Sequence, residues 1–600
     1  MLDGPSPFVL LDDAREAGAG PALLYRNPVG TVATCDPDEV RPSLARLREA
    51  LASGLHVAGL LSYEAGYCLE DRLAPWREPS PPAGPPLLWF GLFEQCTEIP
   101  PGEIAALLPA AGAAWASPPV PRIGGDAYRD AVARVKRHIA DGDIYQANLT
   151  FATDVHCGGD PLALYALLRD RARAGHGGIV FTGGHWLLSF SPELFFAIDD
   201  GLLTARPMKG TASRGADPEE DRAAAAALAQ DAKQRAENLM IVDLLRNDAA
   251  RVSRPGTVKV PELFTVEHYP TVHQLTSQVT AQLAPECGAV DVLEAIFPCG
   301  SVTGAPKIRA MELIAELEAQ PRGVYTGSIG RIAPTGEARF NVAIRTLTIG
   351  EGAPREGGGR SGETCASLGL GSGVVADSRA DEEWRECLAK GGFVSDGTSS
   401  FDLIETMAFD PHEGIAHLEQ HLQRMKASAA ELGFEFDRHH ARNELQAATF
   451  RFRDAKKIRL MLARSGAIAI ESRTLPQPPA RPVEVALVDL PVPASDFRLR
   501  HKTSDRAFYD AARAQSGCFE TLFVDREGFL TEGSFTSLFV ERGGTLLTPP
   551  ASRPILPGIL RAQLIEQGDA EEAELKPADL DGIFYIGNAV RGLMRARLAG

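Results

Sequence analysis

A mixed α/β (α+β) chain of at least two domains is what this sequence predicts, on three observations. Apolar runs with helical spacing alternate with shorter strand-like runs such as RFNVAIRTLTI and ASLGLGSGVVA. Six hundred residues exceed what one hydrophobic core organises. A new sequence style begins after KGGFVSDGTSS (390–400), at FDLIETM, which makes that stretch the best candidate for a domain boundary.

The elements follow in chain order. REPSPPAGPPL (77–87) and PGEIAALLPAAGAAWASPPVP (101–121) read as connections at the edge of an N-terminal subdomain. In DAYRDAVARVKRHIADG, Tyr128, Val132, Val135 and Ile139 recur at helical spacing, and Gly142 offers a stop. From Ala223 to about Val252 the spacing predicts one long helix, with Glu237 and Asp248 three turns apart on one face. GEGAPREGGGRSGET (350–364) reads as an exposed hairpin insertion between two strands. In IAHLEQHLQRMKASAAELG, His417, His421 and Arg424 follow an i, i+4, i+7 pattern, and Gly433 closes the helix.

Composition excludes several function classes. Hydrophobic residues at 44% and charged ones at 23% mark an ordinary globular chain. A net charge of -18 without a dense Lys/Arg run argues against nucleic acid as a partner. MLDGPSPFVLLDDAREAG lacks the basic and apolar regions of a signal peptide, and no run is long enough to span a bilayer, so no membrane partner and a cytoplasmic location are expected. Nine cysteines without a C-x-x-C pair disfavour a disulfide framework or a clustered metal site.

Chemistry-bearing patterns concentrate in two places. In the first, Glu237 lies on an amphipathic helix, and DEEWRECLAK carries Glu383 and Glu386 at i, i+3. Hard cations such as Mg²⁺ take a few carboxylates plus water and substrate oxygens; two solvated acidic faces remain the alternative from spacing alone. GSVTGAPKIRAMELI lacks the P-loop spacing, and Pro306 removes an amide donor, yet a Gly-rich turn opening a helix can still hold a carboxylate. GLGSGVVADS likewise lacks the dinucleotide pattern.

IYQANLT, SPELFF, RPMKGT, ENLMIVDLLRND, CGSVTGAPK, YTGSIG, FNVAIRT and GSGVVADS occur in that order across residues 144–378. Together they resemble the chorismate-utilising family of anthranilate synthase and aminodeoxychorismate synthase large subunits, over residues 1–395. The resemblance implies an anthranilate synthase component I-like two-sheet fold, a Mg²⁺ requirement and chorismate as substrate. It implies Glu237 and Glu386, with Glu383, as metal ligands. Tyr325 and Arg345 would hold the enolpyruvyl carboxylate, and Thr303, Gly304, Gly371 and Gly373 would also line the substrate. His273 in TVHQLTS matches the family histidine, and Glu193 in SPELFF would move a proton at the departing hydroxyl. Lys209 in RPMKGT discriminates within the family: anthranilate-forming relatives carry alanine there, whereas in the aminodeoxychorismate synthases this lysine is the nucleophile. Such an amine must be neutral, which burial or a neighbouring cation favours. No glutaminase set occurs in the chain, so a separate glutamine amidotransferase subunit is implied. A tryptophan pocket around SYEAGY (62–67) stays open by analogy.

The second place starts at Phe401. HLEQH fails the H-E-x-x-H zinc pattern, so packing near a phosphate site is the better reading. ETM, HLEQHLQRMKASAAELGF, KIRLML, HKTSDRAFYD, ETLFVDREGFLTEGSFTSLFVE and ILPGILRAQLIE, in order, resemble the fold-type IV pyridoxal phosphate enzymes: branched-chain aminotransferases, D-amino-acid transaminases and aminodeoxychorismate lyases. The resemblance, over residues 400–600, implies Lys502 as the cofactor lysine, Glu532 at the pyridinium nitrogen, and Arg424 with the main chain of Ile559 and Leu560 at the phosphate. Ser537 stands where relatives usually have asparagine. The resemblance also implies a homodimer through this half. Lyase and aminotransferase are not separated by it; fusion to a chorismate-aminating half favours the lyase. A silent scaffold half is the remaining alternative, against which Lys209, Glu237, Glu386, Lys502 and Glu532 argue together.

Overall fold

The computed structural model describes residues 6–15, 18–81, 83–109, 114–214, 218–268, 272–350, 363–395, 401–432, 434–477, 479, 481–492, 494 and 496–599. The chain folds into two compact units. The first comprises Met1–Pro109, Pro118–Cys157 and Pro161–Asp396; the second comprises Ala110–Ser117, Gly158–Asp160 and Gly397–Gly600.

Two large, mostly antiparallel sheets build the first unit. One runs, neighbour to neighbour, through Gly304–Ala305, Gln146–Gly159, Glu363–Val374, Thr346–Gly350, His185–Ser189, Gly177–Phe181, Phe8–Asp12, Ala22–Arg26 and Thr97–Ile99. The other runs through Met208–Ser213, Val272–Gln282, Leu202–Arg206, Leu194–Asp199, Ala338–Asn341, Ser328–Ile332, His56–Leu61, Leu88–Phe93 and Gly30–Thr34. Apolar side chains from the second sheet, including Phe196 and Phe340 stacked at 5.2 Å, pack with Ile241, Val242 and Leu245 of the helix Ala232–Ala250. That helix is thereby fixed to the sheet by burial, the dominant favourable contribution to packing.

The expected helix from Ala223 to Val252 is two helices, Pro218–Gln230 and Ala232–Ala250. Asp231 breaks it: its backbone is extended and its side chain accepts from Gln234 N at 2.9 Å, an N-cap that satisfies one of the orphan donors of the second helix. The expected helix around Tyr128 is present as Gly125–Ala140. The flanks of the expected hairpin insertion, Thr346–Gly350 and Glu363–Val374, pair antiparallel, while 351–362 lie outside the described residues. Gly433 lies outside them too.

The second unit holds a sheet of Gly414–Ile415, Leu403–Asp410, Lys456–Leu462 and Ile468–Thr474, covered by the helix Leu418–Leu432. A larger sheet runs through Leu530–Gly533, Glu520–Val524, Val483–Asp489, Gly592–Leu598, Phe584–Asn588, Ser537–Arg542, Thr545–Thr548 and Ala570–Glu572. The 101–121 stretch is more than a connection. Trp115 joins the core of the second unit with Leu403 and Met407, its ring 5.4 Å from that of Phe497, because one large aromatic among small residues gains most by burial.

No disulfide joins any of the nine cysteines, all of which lie among the described residues. No helix among the described residues is long and apolar enough to cross a membrane.

Candidate active sites

Lys209 lies on the strand Met208–Ser213, tethered through its carbonyl, which accepts from Asn238 Nδ2 on the Ala232–Ala250 helix at 3.3 Å. Its amine rests against the neighbouring sheet at Gly373: a Cβ there would stand 3.1 Å from Lys209 Nζ and 2.6 Å from Gln146 Nε2. A side chain at 373 would therefore collide with the amine and amide that meet above it. Burial pushes the Lys209 amine below the ordinary lysine range, the charge of Lys390 lowers it further, and Glu193, Glu237 and Glu386 pull the other way.

Lys390 is a partner that the sequence reading missed. Its Nζ donates to Gly371 O at 2.9 Å and meets Glu386 Oε1 at 2.7 Å. The signal was present as the i, i+4 spacing of Glu386 and Lys390 on the helix Ala380–Lys390. Burial raises the Glu386 carboxyl, but Lys390, Lys209 and Lys233 outweigh it and leave the group below its ordinary value. Glu237 moves up, first by burial and further by Glu383 and Glu386, against the pull of Lys209 and Lys233. Glu193 is pushed up to about 7 by burial, and its Oε1 is buried without a hydrogen-bond partner among the described residues. Gln146 Oε1 is in the same condition. Gln146 was quoted within IYQANLT but not singled out; its alternation with Asn148 and Thr150 along the strand would have placed it on one face.

Thr303 is fully buried, its hydroxyl donating to Cys299 O and Gly300 O at 3.2 Å and its carbonyl accepting from Asn148 N at 2.7 Å. Gly304 pairs with Ala147. The Tyr325 ring lies against Gly369, two residues before Gly371 on the same strand. Arg345 adopts a left-handed backbone (φ 48°), a conformation uncommon outside glycine and concentrated at functional sites. His273 is fully buried, and its Nε2 meets Asp221 Oδ1 of the Pro218–Gln230 helix at 3.0 Å, which ties the imidazole to that helix. Lys209, Glu193, Glu237, Glu386, Gly371 and Gly373 are thus brought into one neighbourhood.

A separate cavity of about 590 Å³ opens at the SYEAGY stretch, lined among others by Tyr63, Glu64, Tyr67, Trp76 and Arg322. Burial pushes Glu64 up to about 7 although Arg322 N and Gly323 N both donate to it.

In the second unit, Lys502 is half-buried and its amine is pushed down to about 7, by desolvation first and then by Arg424 and Arg506, against Glu405 and Glu532. Glu532 accepts from Tyr509 OH at 2.6 Å and Leu556 N at 3.0 Å, and burial pushes its carboxyl up to about 7. Arg424 donates from Nε and Nη2 to Glu405 at 2.8 and 2.7 Å and from Nη1 to Pro557 O at 2.8 Å. His421 Nδ1 meets the same carboxylate at 2.6 Å. Burial raises Glu405, yet Arg424 and His421 more than offset this and hold it down to about 2. Glu405 was missed, although an acid directly after the apolar pair Leu403–Ile404 in FDLIETM was a visible irregularity. His417 falls before the helix Leu418–Leu432, and Glu419 pairs with Arg438 and Arg442, consistent with packing and not with zinc ligation. Ile559 and Leu560 open the helix Ile559–Glu566, where Ser537 Oγ packs against Gly558.

A family model for chorismate binding enzymes matches residues 7–396. The chain belongs to that family. A model for class IV amino-transferases matches residues 402–599, and such a domain implies pyridoxal phosphate. Aminodeoxychorismate synthase component 1 of Escherichia coli is 43% identical over 263 residues, covering 44% of this chain and 55% of the relative. Anthranilate synthase component 1 1 of Halobacterium salinarum is 41% identical over 265 residues, 44% of this chain and 49% of the relative. The chain thus spans about half the length of the curated relatives it matches. Anthranilate synthase component I from Streptococcus pneumoniae superposes with a TM-score of 0.53 at 27% identity, covering 64% of this chain and 93% of that one. The family therefore accounts for the two-sheet architecture of the first unit.

The chorismate-binding half presents, among the described residues, no group of three or more His, Cys, Asp or Glu that could hold a metal ion. Two carboxylates completed by water and substrate oxygens are a donor set that Mg²⁺ accepts. Glu237 is raised first by burial and then by Glu383 and Glu386, and a cation would relieve the cost of its charge. In the second unit a half-buried lysine, a buried carboxylate, an arginine and a helix N-terminus are the groups pyridoxal phosphate needs.

Proposed function

We propose that this chain makes 4-aminobenzoate from chorismate in two steps, residues 1–395 aminating chorismate to 4-amino-4-deoxychorismate and residues 400–600 eliminating pyruvate from it. Ammonia would come from a glutamine amidotransferase subunit. The observation that carries the reading is the placement of Lys209, whose amine stands against Gly373 beside the Gln146 amide, with its pKa lowered by burial and by Lys390 against the pull of Glu193, Glu237 and Glu386.

In the first step Lys209 Nζ attacks C2 of the ring, both ring double bonds shift (C1=C2 to C1=C6 and C5=C6 to C4=C5), and the 4-hydroxyl leaves as water with a proton from Glu193. A Glu193 carboxyl raised to about 7 can carry that proton near neutrality. Ammonia then attacks C4, both double bonds return to their places, and the C2–Nζ bond breaks, restoring the lysine amine. Glu237 and Glu386 would hold Mg²⁺ together with water and substrate oxygens, and the ion would supply counter-charge to the ring carboxylate; Glu383, expected as a third ligand, adds negative charge beside Glu237. Tyr325 and Arg345 would hold the enolpyruvyl carboxylate, Thr303, Gly304, Gly371 and Gly373 would line the substrate, and His273 would serve as the active-site histidine.

In the second step Lys502 removes the proton at C4 of the ring and returns one to the departing enolpyruvate. Its amine, lowered to about 7, is a competent base at neutral pH. Pyridoxal phosphate supplies an electron sink for this elimination, held by Lys502, Glu532, Arg424 and the amides of Ile559 and Leu560. Aromatisation makes the elimination downhill. We further assign the protein to the cytoplasm and expect a homodimer through the second half.

The test combines chorismate, Mg²⁺ and an ammonium salt with the wild-type protein and Lys209→Ala. The reading requires 4-aminobenzoate from the wild type; 2-aminobenzoate would overturn the first assignment. Purified 4-amino-4-deoxychorismate without a 2-oxo acid should release pyruvate, and no release would favour a class IV aminotransferase.

A further inference from the structure

The proposed chemistry leaves unused a buried ion pair between Asp248 and Lys307, both with less than a tenth of their surface exposed. Lys307 Nζ lies 2.5 Å from Asp248 Oδ2 and 2.7 Å from Ile296 O, so one ammonium joins the helix Ala232–Ala250 to the last carbonyl of the helix Ala289–Ile296. Lys307 itself opens the helix Lys307–Leu317, directly after the turn that carries Thr303 and Gly304.

The Ala232–Ala250 helix is the common support. Near its start Asn238 donates to Lys209 O at 3.3 Å and Leu275 O at 3.2 Å, and accepts from Ser277 Oγ at 2.6 Å. Glu237 is the adjacent residue. Six residues past Asn238, Leu244 packs so closely on Gly300 that a Cβ at 300 would stand 2.5 Å from its Cδ2. Asp248 follows one turn later, about 16 Å along the axis from Glu237. Apolar contact presses the helix on the turn but does not fix its axial position; a charge-assisted hydrogen bond has both length and direction.

We propose that Asp248 and Lys307 are positioning residues that set the axial register between the end of this helix that bears Glu237 and tethers the Lys209 strand and the turn holding Thr303 and Gly304. This inference rests on the proposed amination site. Buried ion pairs are often no more stabilising than apolar residues of equal volume, so stability alone does not account for the pair.

Asp248→Leu with Lys307→Met replaces the pair by apolar side chains of similar size. The expected result is a thermal midpoint within a few degrees of wild type, a KM for chorismate raised at least tenfold, and unchanged pyruvate release from 4-amino-4-deoxychorismate. Asp248→Asn with Lys307→Gln keeps polar contact without charge and should give a smaller shift in the same direction. Unchanged KM and kcat in the folded variants would overturn the proposal, and failure of both pairs to fold would reduce the contact to a stability device. Calorimetric binding of chorismate reads the same displacement without turnover. If wild type binds chorismate yet forms no aminated product, the proposed reaction falls while this comparison still decides the pair.

Discussion

Lys209 and Lys502 are two half-buried lysines lowered by the same device and surrounded by different company. Burial is the larger cause for both. Lys209 has another lysine nearby, Lys390, which is held by Glu386 at 2.7 Å. Lys502 has two guanidiniums, of which Arg424 is held twice by Glu405. In each unit the nearest cation is already paired, so desolvation does most of the lowering and the pair trims it. The difference lies in what remains exposed to the amine: beside Lys209, carboxylates that can share a cation with substrate; beside Lys502, a carboxylate and a helix end that suit a ring nitrogen and a phosphate.

The comparison breaks most sharply at the two lysines themselves. Lys209→Ala should lower amination of chorismate by at least about 10³-fold, some 4 kcal/mol of barrier, and leave pyruvate release from 4-amino-4-deoxychorismate untouched. Lys502→Ala should do the converse and abolish borohydride-trapped incorporation of pyridoxal phosphate. Parallel loss of both activities in either variant would mean that the units do not act independently. Gly373→Ala comes next. Its Cβ would crowd Lys209 Nζ and the Gln146 amide, so amination should fall about 10- to 100-fold with a stability loss of about 1–3 kcal/mol. Denaturant titration alongside product assays separates the two.

How much of this was legible in the sequence depends on whether a residue's role is local. Lys209, Glu237, Lys502 and Glu532 sit in the short motifs that carry the family resemblance, so they were singled out before any fold was known, while their spatial neighbours were not. Lys390 and Glu405 were not singled out because a cation or an acid on an amphipathic element reads as a solvated face until the opposite wall is placed. The break at Asp231 was hidden by alanine-rich flanks of high helix propensity, where a single N-cap carries the whole signal. Trp115 was read as part of a connection because its partners, Leu403 and Phe497, lie 288 and 382 residues further along the chain. His273 was expected from its motif, but its tie to Asp221 needed the pairing of strand and helix.

The pH dependence sharpens the comparison at intermediate size. Lys502 must lose a proton to act, so borohydride-trapped incorporation of pyridoxal phosphate should rise through about pH 7 and level off above it. Arg506 lowers that amine, so Arg506→Gln should move the rise to higher pH. Stability follows the same sign. A lysine lowered to about 7 when folded and near 10.4 when unfolded makes the unfolded chain bind more protons between those values. The native state therefore loses stability as pH falls across that window, and below about 7 the penalty is constant. Urea midpoints of wild type and Lys502→Met should converge as the pH approaches 10.

The smallest effect is expected at Tyr509, and it tests what distinguishes the second site from the first. Tyr509 OH donates to Glu532 Oε1 at 2.6 Å inside a buried pocket, and this hydrogen bond lowers a carboxyl that burial has pushed up to about 7. Removing the hydroxyl in Tyr509→Phe leaves Leu556 N as the other main-chain donor and lets Glu532 rise further, so at neutral pH more of it is protonated and less available to a pyridinium nitrogen. A hydrogen bond to a charged group contributes about 1.5–3 kcal/mol, partly recovered by Leu556, which predicts a 5- to 20-fold weaker hold on pyridoxal phosphate with Lys502 still trapped at saturation. The loss should shrink as pH rises above the Glu532 range, because a carboxylate forced to ionise no longer needs the phenol. An affinity unchanged across pH would mean that Glu532 is held ionised by Leu556 and the cations alone, as Glu386 is by its lysines in the first unit.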